Sequence, residues 1–186
     1  MTICLVGSEM CIRDRIVECN IEEVDIEKNE DTLPIYIRMD NDEVQGIALP
    51  IAGKGLWSTI FGYIALNPDT DSVLGIQFYK HGETPGLGGE VEKKWFTDNF
   101  VNHPIKQPGG EIQYVPKKIR DKSGKIISIK VVKGGVDYSE SNTSSIHQVD
   151  GISGATVTAD GVTDFLLEDL LRYEKTLDKI RDYGTI

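Results

Sequence analysis

The sequence predicts an α+β fold, in which a twisted and mostly antiparallel sheet is flanked by helices. Two patterns of strand, turn and strand follow one another in the first half of the chain, and consecutive hairpins favour antiparallel pairing. Apolar residues at helical spacing then predict one helix over 90–100 and a second, longer helix over 158–182.

Each predicted strand is supported either by alternation of apolar and polar residues or by a short apolar run between turn residues. In the first strand, for example, Ile35, Ile37 and Met39 alternate with polar positions. The segment 111–120 is left open between a strand and a basic insertion, and 102–108 is predicted to be a loop. The predicted strands cover 33–39, 44–51, 61–66, 73–79 and 126–132.

The long C-terminal helix has the clearest apolar face, because its apolar residues recur three or four positions apart. Thr158 is a good candidate for its N-cap, and Asp160 in the first turn suits the helix dipole. The residues predicted to face the core are Val162, Phe165, Leu166, Leu170, Tyr173, Leu177 and Ile180.

The N-terminal part of the chain differs in character from the rest. Residues 1–15 show neither helical nor strand periodicity and look like translated adapter sequence, so we expect a non-native tail and leave it out of the reasoning about the fold. On that interpretation the natural N-terminus is missing, together with any membrane anchor that it carried. Residues 16–32 are predicted to be an acidic lead-in, and the folded domain is predicted over 33–186.

Composition and charge exclude several classes of function. The net charge of −10 and the pI near 4.8 argue against a nucleic-acid partner, because phosphate backbones need clustered lysine and arginine. The three cysteines, Cys4, Cys11 and Cys19, have neither zinc-ligand spacing nor the distribution of a disulfide framework. The sequence as given has no apolar run of about 18 residues, so it predicts no membrane span.

Three glycine-rich segments carry the candidate site. They are GKGLW (53–57), HGETPGLGG (81–89) and DGISGAT (150–156), and the last lies at the start of the long helix. Free backbone N–H groups and threonine hydroxyls at a helix N-terminus suit a phosphate group. A simple cap with a tight turn explains the same residues, and the last segment alone leaves both interpretations open.

The pattern Asp-x-x-Ser-Gly-Ala-Thr in 150–156 resembles the flavinylation motif of the FMN-binding domain family. In that family the last threonine carries FMN through a phosphoester bond, so the resemblance implies Thr156 as the acceptor. A threonine hydroxyl is a weak nucleophile, and an external catalyst with a metal ion is therefore chemically reasonable. A flavin transferase attaches FMN from FAD, and the part of the motif that it reads corresponds to Asp150, Ser153, Gly154 and Ala155. The last three are also assigned to the cofactor site.

All three segments, in this order and preceded by LPIYI, look like the family of the C subunit of the Na+-translocating NADH:quinone reductase, over roughly 33–173. The resemblance implies that 33–186 is an FMN-binding domain. A flavin ring is flat and apolar and needs stacking surface, for which Trp57 and Leu87 are the candidates. Hydroxyl and backbone N–H contacts to its polar edge are expected from Thr84, Gly86, Gly88 and Gly89.

The resemblance implies an electron-transfer subunit with covalent FMN, in a translocase that oxidises NADH, reduces ubiquinone and exports sodium. It also implies a place on the periplasmic side of the bacterial inner membrane. No G-x-G-x-x-G opens a helix after a strand here, which agrees with a subunit that does not itself bind NADH. The expected partners are the other subunits of the membrane complex and the flavin transferase. No catalytic residue and no metal ligand is assigned.

Two alternatives stay open from the sequence. The G subunit of the related ferredoxin:NAD electron-transport complex shares the Ser-Gly-Ala-Thr pattern and the cofactor and differs in its partners. A non-redox extracellular binding module would use the glycine-rich segments as a cleft, with Thr156 only a residue at a helix end.

Overall fold

The central sheet of the computed structural model has five strands, which lie side by side in chain order. The structure describes residues 3–6, 34–40, 43–107, 109–139 and 142–183. The strands are β1 (Ile3–Val6), β2 (Ile35–Asp40), β3 (Glu43–Lys54), β4 (Thr59–Leu66) and β5 (Val73–Lys80). Neighbours from β2 to β5 pair antiparallel, and β1 pairs parallel with β2. The predicted α+β class with a mostly antiparallel sheet is confirmed.

The two predicted hairpins are present as β2–β3 and β4–β5. The turn of the second is closed by Asp69, whose Oδ1 accepts the backbone N–H groups of Asp71 at 2.9 Å and Ser72 at 2.8 Å. The turn of the first hairpin, at 41–42, and the acidic lead-in at 16–32 lie outside the described residues.

Part of the N-terminal segment belongs to the sheet. Ile3–Val6 pairs in register with the first four residues of β2 as a parallel edge strand. The apolar run Ile-Cys-Leu-Val thus supplies a short edge strand, although residues 1–15 were left out of the reasoning about the fold. The non-native origin of 1–15 stays a prediction.

The segment predicted as a helix over 90–100 folds as three short helical pieces. A 3-10 turn over Gly88–Glu92 is followed by α1 (Lys94–Thr97) and a second 3-10 turn over Asp98–Phe100. Lys93 has extended backbone (φ −75°, ψ 141°) and separates the first 3-10 turn from α1, so the prediction of one continuous helix was wrong. The apolar spacing still serves the core, in which the buried residues of this segment are Val91, Phe96 and Phe100.

The long helix α2 (Thr156–Tyr183) packs on the sheet with the face predicted from its spacing. Each of the seven predicted core residues is at most 5 % exposed, and burial of one such side chain stabilises the fold by about 1.5–3 kcal/mol. Gly53 and Gly161 allow the close approach of β3, since a Cβ on Gly53 would collide with Phe165 and one on Gly161 with the carbonyl of Lys54. Within the described ranges, no helix is both long enough and apolar enough to span a bilayer.

Four short strands complete the fold as two separate pairs. β6 (His103–Lys106) and β7 (Ile112–Val115) form an antiparallel hairpin, and β8 (Lys130–Val132) pairs parallel with β9 (Gln148–Asp150). The prediction of a loop over 102–108 was therefore wrong for 103–106, which form β6. The strand predicted over 126–132 is confined to its last three residues, since Ser128 takes a φ of +64°.

A fully buried lysine joins these peripheral segments. The Nζ atom of Lys117 lies 3.1 Å from Nδ1 of His103, donates to the carbonyl of Ser145 at 2.9 Å and lies 5.0 Å from the ring centre of Tyr138. Burial lowers the pKa of Lys117 to about 8 and, together with the nearby lysine, the pKa of His103 to about 4. Ionisation in this part of the core is therefore coupled to folding.

Candidate functional site

The turn over 153–156 leads directly into α2. Gly154 has a φ of +77°, a left-handed conformation that glycine adopts without strain, and the N–H of Ala155 donates to the carbonyl of Ile152 at 3.1 Å. The helix begins at Thr156, so Thr158 lies inside its first turn and is not the predicted N-cap. Ala155 is buried in the core, whereas Thr156 is exposed. The turn thus places one threonine at the surface, at a helix N-terminus.

A cleft of about 300 Å³ opens beside Thr156. Its lining comes from the 151–154 turn, from the start of α2, and from Val131, Lys133 and Gly134. This volume lies at the lower end of the range for small-molecule sites. Ser153 and Gly154 line the cleft, as do one cationic and one anionic residue, Lys133 and Asp160.

Asp150 fixes the segment after β8, part of which lines the cleft. Its Oδ1 accepts the backbone N–H of Val136 at 2.7 Å, which holds the segment after β8 against the end of β9. Gly151 permits the same close approach, because a Cβ there would collide with the carbonyl oxygen of Val132. Asp150 therefore has a structural partner of its own, besides the transferase contact that the resemblance implies.

Glu83 connects the glycine-rich segments. The residue is only 5 % exposed, and its Oε1 accepts the backbone N–H groups of Trp57 at 2.8 Å and Ser58 at 3.2 Å. Its Oε2 accepts the N–H of Leu56 at 3.2 Å and the hydroxyl of Thr158 at 2.7 Å. One carboxylate thus joins the loop after β3, the loop after β5 and the first turn of α2.

Two buried glycines leave the space that this carboxylate occupies. A Cβ on Gly55 would lie 2.6 Å from Oε1 of Glu83. A Cβ on Gly88 would lie 2.5 Å from Oε2 of Glu83 and 2.6 Å from Oγ1 of Thr158. We predicted Gly88 as a backbone contact to the cofactor; the structure shows that its missing side chain also makes room for the Glu83–Thr158 hydrogen bond.

The surroundings of Glu83 keep its side chain ionised. Burial by itself would raise the pKa of this carboxyl group, but the hydrogen bonds from the Thr158 hydroxyl and from the backbone of 56–58 outweigh burial, and the pKa lies below its ordinary value. The site therefore contains a fixed negative charge at neutral pH.

Two apolar side chains lie at the surface of the site. Trp57 is 71 % exposed and Leu87 is 43 % exposed, which excludes an ordinary core role for the tryptophan. Leu87 lies against the 153–156 turn, because a Cβ on Gly154 would be 2.9 Å from its Cδ2 atom. Exposed apolar groups on two loops that contact the 153–158 region offer surface that a flat aromatic ligand can cover.

A tight turn over 84–87 presents Leu87. The backbone N–H groups of Leu87 and Gly89 donate to the carbonyl of Thr84 at 3.1 and 2.9 Å, and Gly86 has a φ of +76°. Thr84 and Gly86 are exposed, whereas Gly89 is buried. The structure thus puts Thr84 and Gly86 at the surface next to Leu87, with their predicted contacts to a flavin edge still predictions.

The residues present fit FMN. The exposed hydroxyl of Thr156, at the N-terminal end of a long helix, suits a phosphate group, and the adjoining cleft has room for part of a small ligand. Trp57 and Leu87 add exposed apolar surface for a ring.

Sequence reasoning missed the role of Glu83. A carboxylate in a loop rich in glycine and proline reads as a solvated side chain, because its hydrogen-bond donors lie 25–27 and 75 positions away along the chain. The available signal was the glycines of the first two segments, since Gly55 and Gly88 are the positions at which a side chain would collide with this carboxylate.

The chain is similar to a known family model and to several curated proteins. A family model described as the FMN-binding domain matches residues 55–169. The C subunit of the Na(+)-translocating NADH-quinone reductase from Vibrio alginolyticus is 40 % identical over 161 residues, which are 85 % of this chain and 55 % of that protein. The corresponding protein from Pseudomonas aeruginosa is 37 % identical over 142 residues, which are 76 % of this chain and 48 % of that protein. The chain thus spans about half the length of these curated relatives.

Two solved structures have a similar fold. The crystal structure of the C subunit from Parabacteroides distasonis aligns with a TM-score of 0.59 and 30 % identity, and covers 77 % of this chain and 61 % of that one. The crystal structure of Shewanella oneidensis NqrC gives the same TM-score of 0.59 and 30 % identity, with 78 % and 60 % covered. These matches confirm the resemblance to the C subunit that the three segments indicated. Because the family model matches more than half of the chain, including Trp57, Glu83 and Thr156, this chain belongs to the FMN-binding domain family.

Proposed function

We propose that this chain is the FMN-carrying electron-transfer domain of the C subunit in a sodium-translocating NADH:ubiquinone reductase. The observation that carries the proposal is the position of Thr156, which is exposed at the start of α2 and beside a cleft. Trp57 and Leu87 are exposed on two loops near the start of α2. Glu83 joins the Trp57 loop to the first turn of α2, and Leu87 lies against Gly154 just before that helix. The names of the relatives support the choice of the C subunit over the G subunit of the ferredoxin:NAD complex.

Thr156 is the residue that we propose to carry FMN through a phosphoester bond. The other threonine of this turn, Thr158, is 1 % exposed and its hydroxyl already donates to Glu83. In the transfer, the Thr156 oxygen bonds to the flavin-side phosphorus of FAD while the bond from that phosphorus to the bridging oxygen breaks. AMP leaves with the bridging oxygen, and the threonine proton passes to a base of the flavin transferase. A metal ion on the transferase stabilises the charge on the phosphates.

The tethered FMN would supply reversible electron chemistry, and the chain would hold it open to partner subunits. Trp57 and Leu87 are exposed, so a ring packed on them stays near the surface, where electron exchange with another redox centre is possible. In this role the domain receives electrons from one partner and passes them to another, without binding NADH. We place it on the periplasmic side of the bacterial inner membrane, as the resemblance implies.

Coexpression with a flavin transferase tests the proposal. The wild-type protein should become yellow, and its flavin fluorescence should persist on a denaturing gel. Thr156→Ala should lose the covalent flavin completely, because no hydroxyl is left to form the ester. Thr143→Ala, a matched change at an exposed threonine in the loop before β9, should keep it.

Two results would contradict the proposal. The first is a wild-type protein that stays colourless although the transferase flavinylates a control substrate. The second is a Thr156→Ala protein that still carries flavin through denaturation, which would place the bond on another residue.

A further inference from the structure

The Glu83 carboxylate fastens the loop that carries Trp57. Three successive backbone N–H groups, at positions 56–58, donate to its two oxygens at 2.8–3.2 Å. The tryptophan is 71 % exposed, so its direction depends chiefly on the backbone of its own loop. We propose that Glu83 is a positioning residue that holds Trp57 in the orientation needed to pack on the flavin ring. This inference rests on the proposed FMN function and adds a residue to the same site.

Only an ionised carboxylate matches the donors around Glu83. Each oxygen accepts two hydrogen bonds, Oε1 from Trp57 and Ser58, and Oε2 from Leu56 and Thr158. A glutamine at this position has one oxygen and one NH2 group. With the NH2 group toward Trp57 and Ser58, two backbone donors lose their acceptor; with it toward Leu56 and Thr158, the Leu56 N–H loses its acceptor and the threonine hydroxyl must turn to accept. Glu83→Gln therefore keeps the size of the side chain and removes at least one backbone hydrogen bond to the Trp57 loop.

The same carboxylate ties the Trp57 loop to the helix that begins with Thr156. The Thr158 hydroxyl lies two positions after Thr156 and donates to Oε2 of Glu83 at 2.7 Å. A second hydrogen bond supports the loop, since the N–H of Gly82 donates to Oγ of Ser58 at 2.6 Å. Glu83 thus links the loop that carries the stacking surface directly to the helix that carries the attachment point.

Two glycines make room for the Glu83 carboxylate. Both are buried: Gly55 lies next to Oε1 and Gly88 next to Oε2, and a Cβ on either would come within 2.6 Å of that oxygen. A solvated glutamate would need no such space. The positions flanking Glu83 therefore serve to keep its oxygens in reach of the Trp57 loop.

Flavin fluorescence provides the test, because a purely structural role of Glu83 would leave this fluorescence unchanged. Tryptophan quenches flavin fluorescence when the two rings are in contact. Flavinylated wild-type protein, Glu83→Gln, Trp57→Leu and the double variant are compared. Glu168→Gln, which removes one exposed carboxylate from α2, is the matched control. We expect Glu83→Gln to lose most of the quenching that Trp57→Leu abolishes, with no further change in the double variant, and the control to match wild type.

Hydrogen exchange in protein without flavin gives an independent reading. The amides of 56–58 should exchange faster in Glu83→Gln than in wild type, while amides in the middle of α2 keep their protection. Should Glu83→Gln fail to fold, Thr158→Val removes one donor and leaves the carboxylate in place, and Thr158→Ser restores the hydroxyl. The valine variant should then lose part of the quenching, and the serine variant should recover it.

The outcomes separate this inference from the proposed function. A wild-type protein that accepts no flavin contradicts the function, and the exchange of the 56–58 amides still reports on the Glu83 connection. A flavinylated protein whose quenching is unchanged in Glu83→Gln, or in Trp57→Leu, overturns the inference and leaves the flavin attachment intact. Fluorescence changes of Glu83→Gln and Trp57→Leu that simply add would also overturn it, because the two residues would then act separately.

Discussion

Gly88 lies so close to the Glu83 carboxylate that alanine at this position should destabilise the fold. An added Cβ would be 2.5 Å from Oε2 of Glu83 and 2.6 Å from Oγ1 of Thr158, both well inside van der Waals contact. The ends of side chains can often move aside, but these two are held by hydrogen bonds to each other and to the backbone of 56–58. Relief of the collision therefore breaks at least one hydrogen bond to a charged group.

The magnitude follows from three effects. Overpacking a filled site costs about 1–3 kcal/mol. Loss of a hydrogen bond to a charged group costs about 1.5–3 kcal/mol, although the two costs overlap because the same movement relieves one and causes the other. The smaller conformational freedom of alanine in the unfolded chain offsets about 0.4–1 kcal/mol. We expect Gly88→Ala to lower the free energy of unfolding by about 2–4 kcal/mol, which for this chain length corresponds to a fall in Tm of roughly 5–15 °C.

Thermal and urea unfolding of purified variants, followed by circular dichroism, measure this effect. Gly75→Ala is the matched control, because, apart from Gly75 and its two chain neighbours, no heavy atom of the described residues lies within 4 Å of the Cβ position there. Its Tm should stay unchanged or rise slightly. A Gly88→Ala variant within about 0.5 kcal/mol of wild type, the range of an ordinary surface change, would refute the packing argument.

Three further predictions concern Asp150, Lys117 and the protonation of Glu83. Asp150→Ala should lower the free energy of unfolding by about 1–3 kcal/mol, because the Val136 N–H loses its acceptor, whereas Asp150→Asn keeps an oxygen there and should cost less; equal losses in urea unfolding would contradict this. The buried Lys117, with a pKa of about 8, binds fewer protons when folded than when unfolded above that pH. Wild type should therefore gain stability relative to Lys117→Met as the pH rises from about 8 to about 9.5, by about 1–2 kcal/mol, and a constant difference would contradict the assignment. Because the pKa of Glu83 is depressed, its contribution is complete above the unfolded value of 4.5 and is lost as the pH falls through the folded value below it. The stability difference between wild type and Glu83→Gln should accordingly shrink in acid, and a difference that grows there would contradict the ionised state.

The elements that the sequence predicted well are those with one buried face. Val162, Leu166 and Leu170 recur at helical spacing and are fully buried, so the pattern and the packing of α2 have the same cause. By contrast, all of β7 except its last residue is exposed, so its short pattern has no buried face to distinguish a strand from a loop. The segment 111–120 was left open for that reason, and the hairpin of β6 and β7 was not predicted.

The misplaced helix start has a different cause. A threonine before an apolar run favours an N-cap because its hydroxyl can accept a backbone N–H. In the fold, the Thr158 hydroxyl instead donates to Glu83, which is 75 positions away in sequence. The N-cap preference of threonine is a local effect, and here a long-range hydrogen bond to Glu83 takes its place. Thr158 is also the residue that joins the Trp57 loop to the helix through Glu83.

The central claim is that Thr156 carries FMN as a phosphoester, and fragment-ion mass spectrometry of the 150–162 region tests it most directly. After coexpression with a flavin transferase, the account predicts that the mass of FMN minus one water is added, and that the fragments assign it to Thr156. An unmodified Thr156 in a preparation that nevertheless contains covalent flavin would contradict the account.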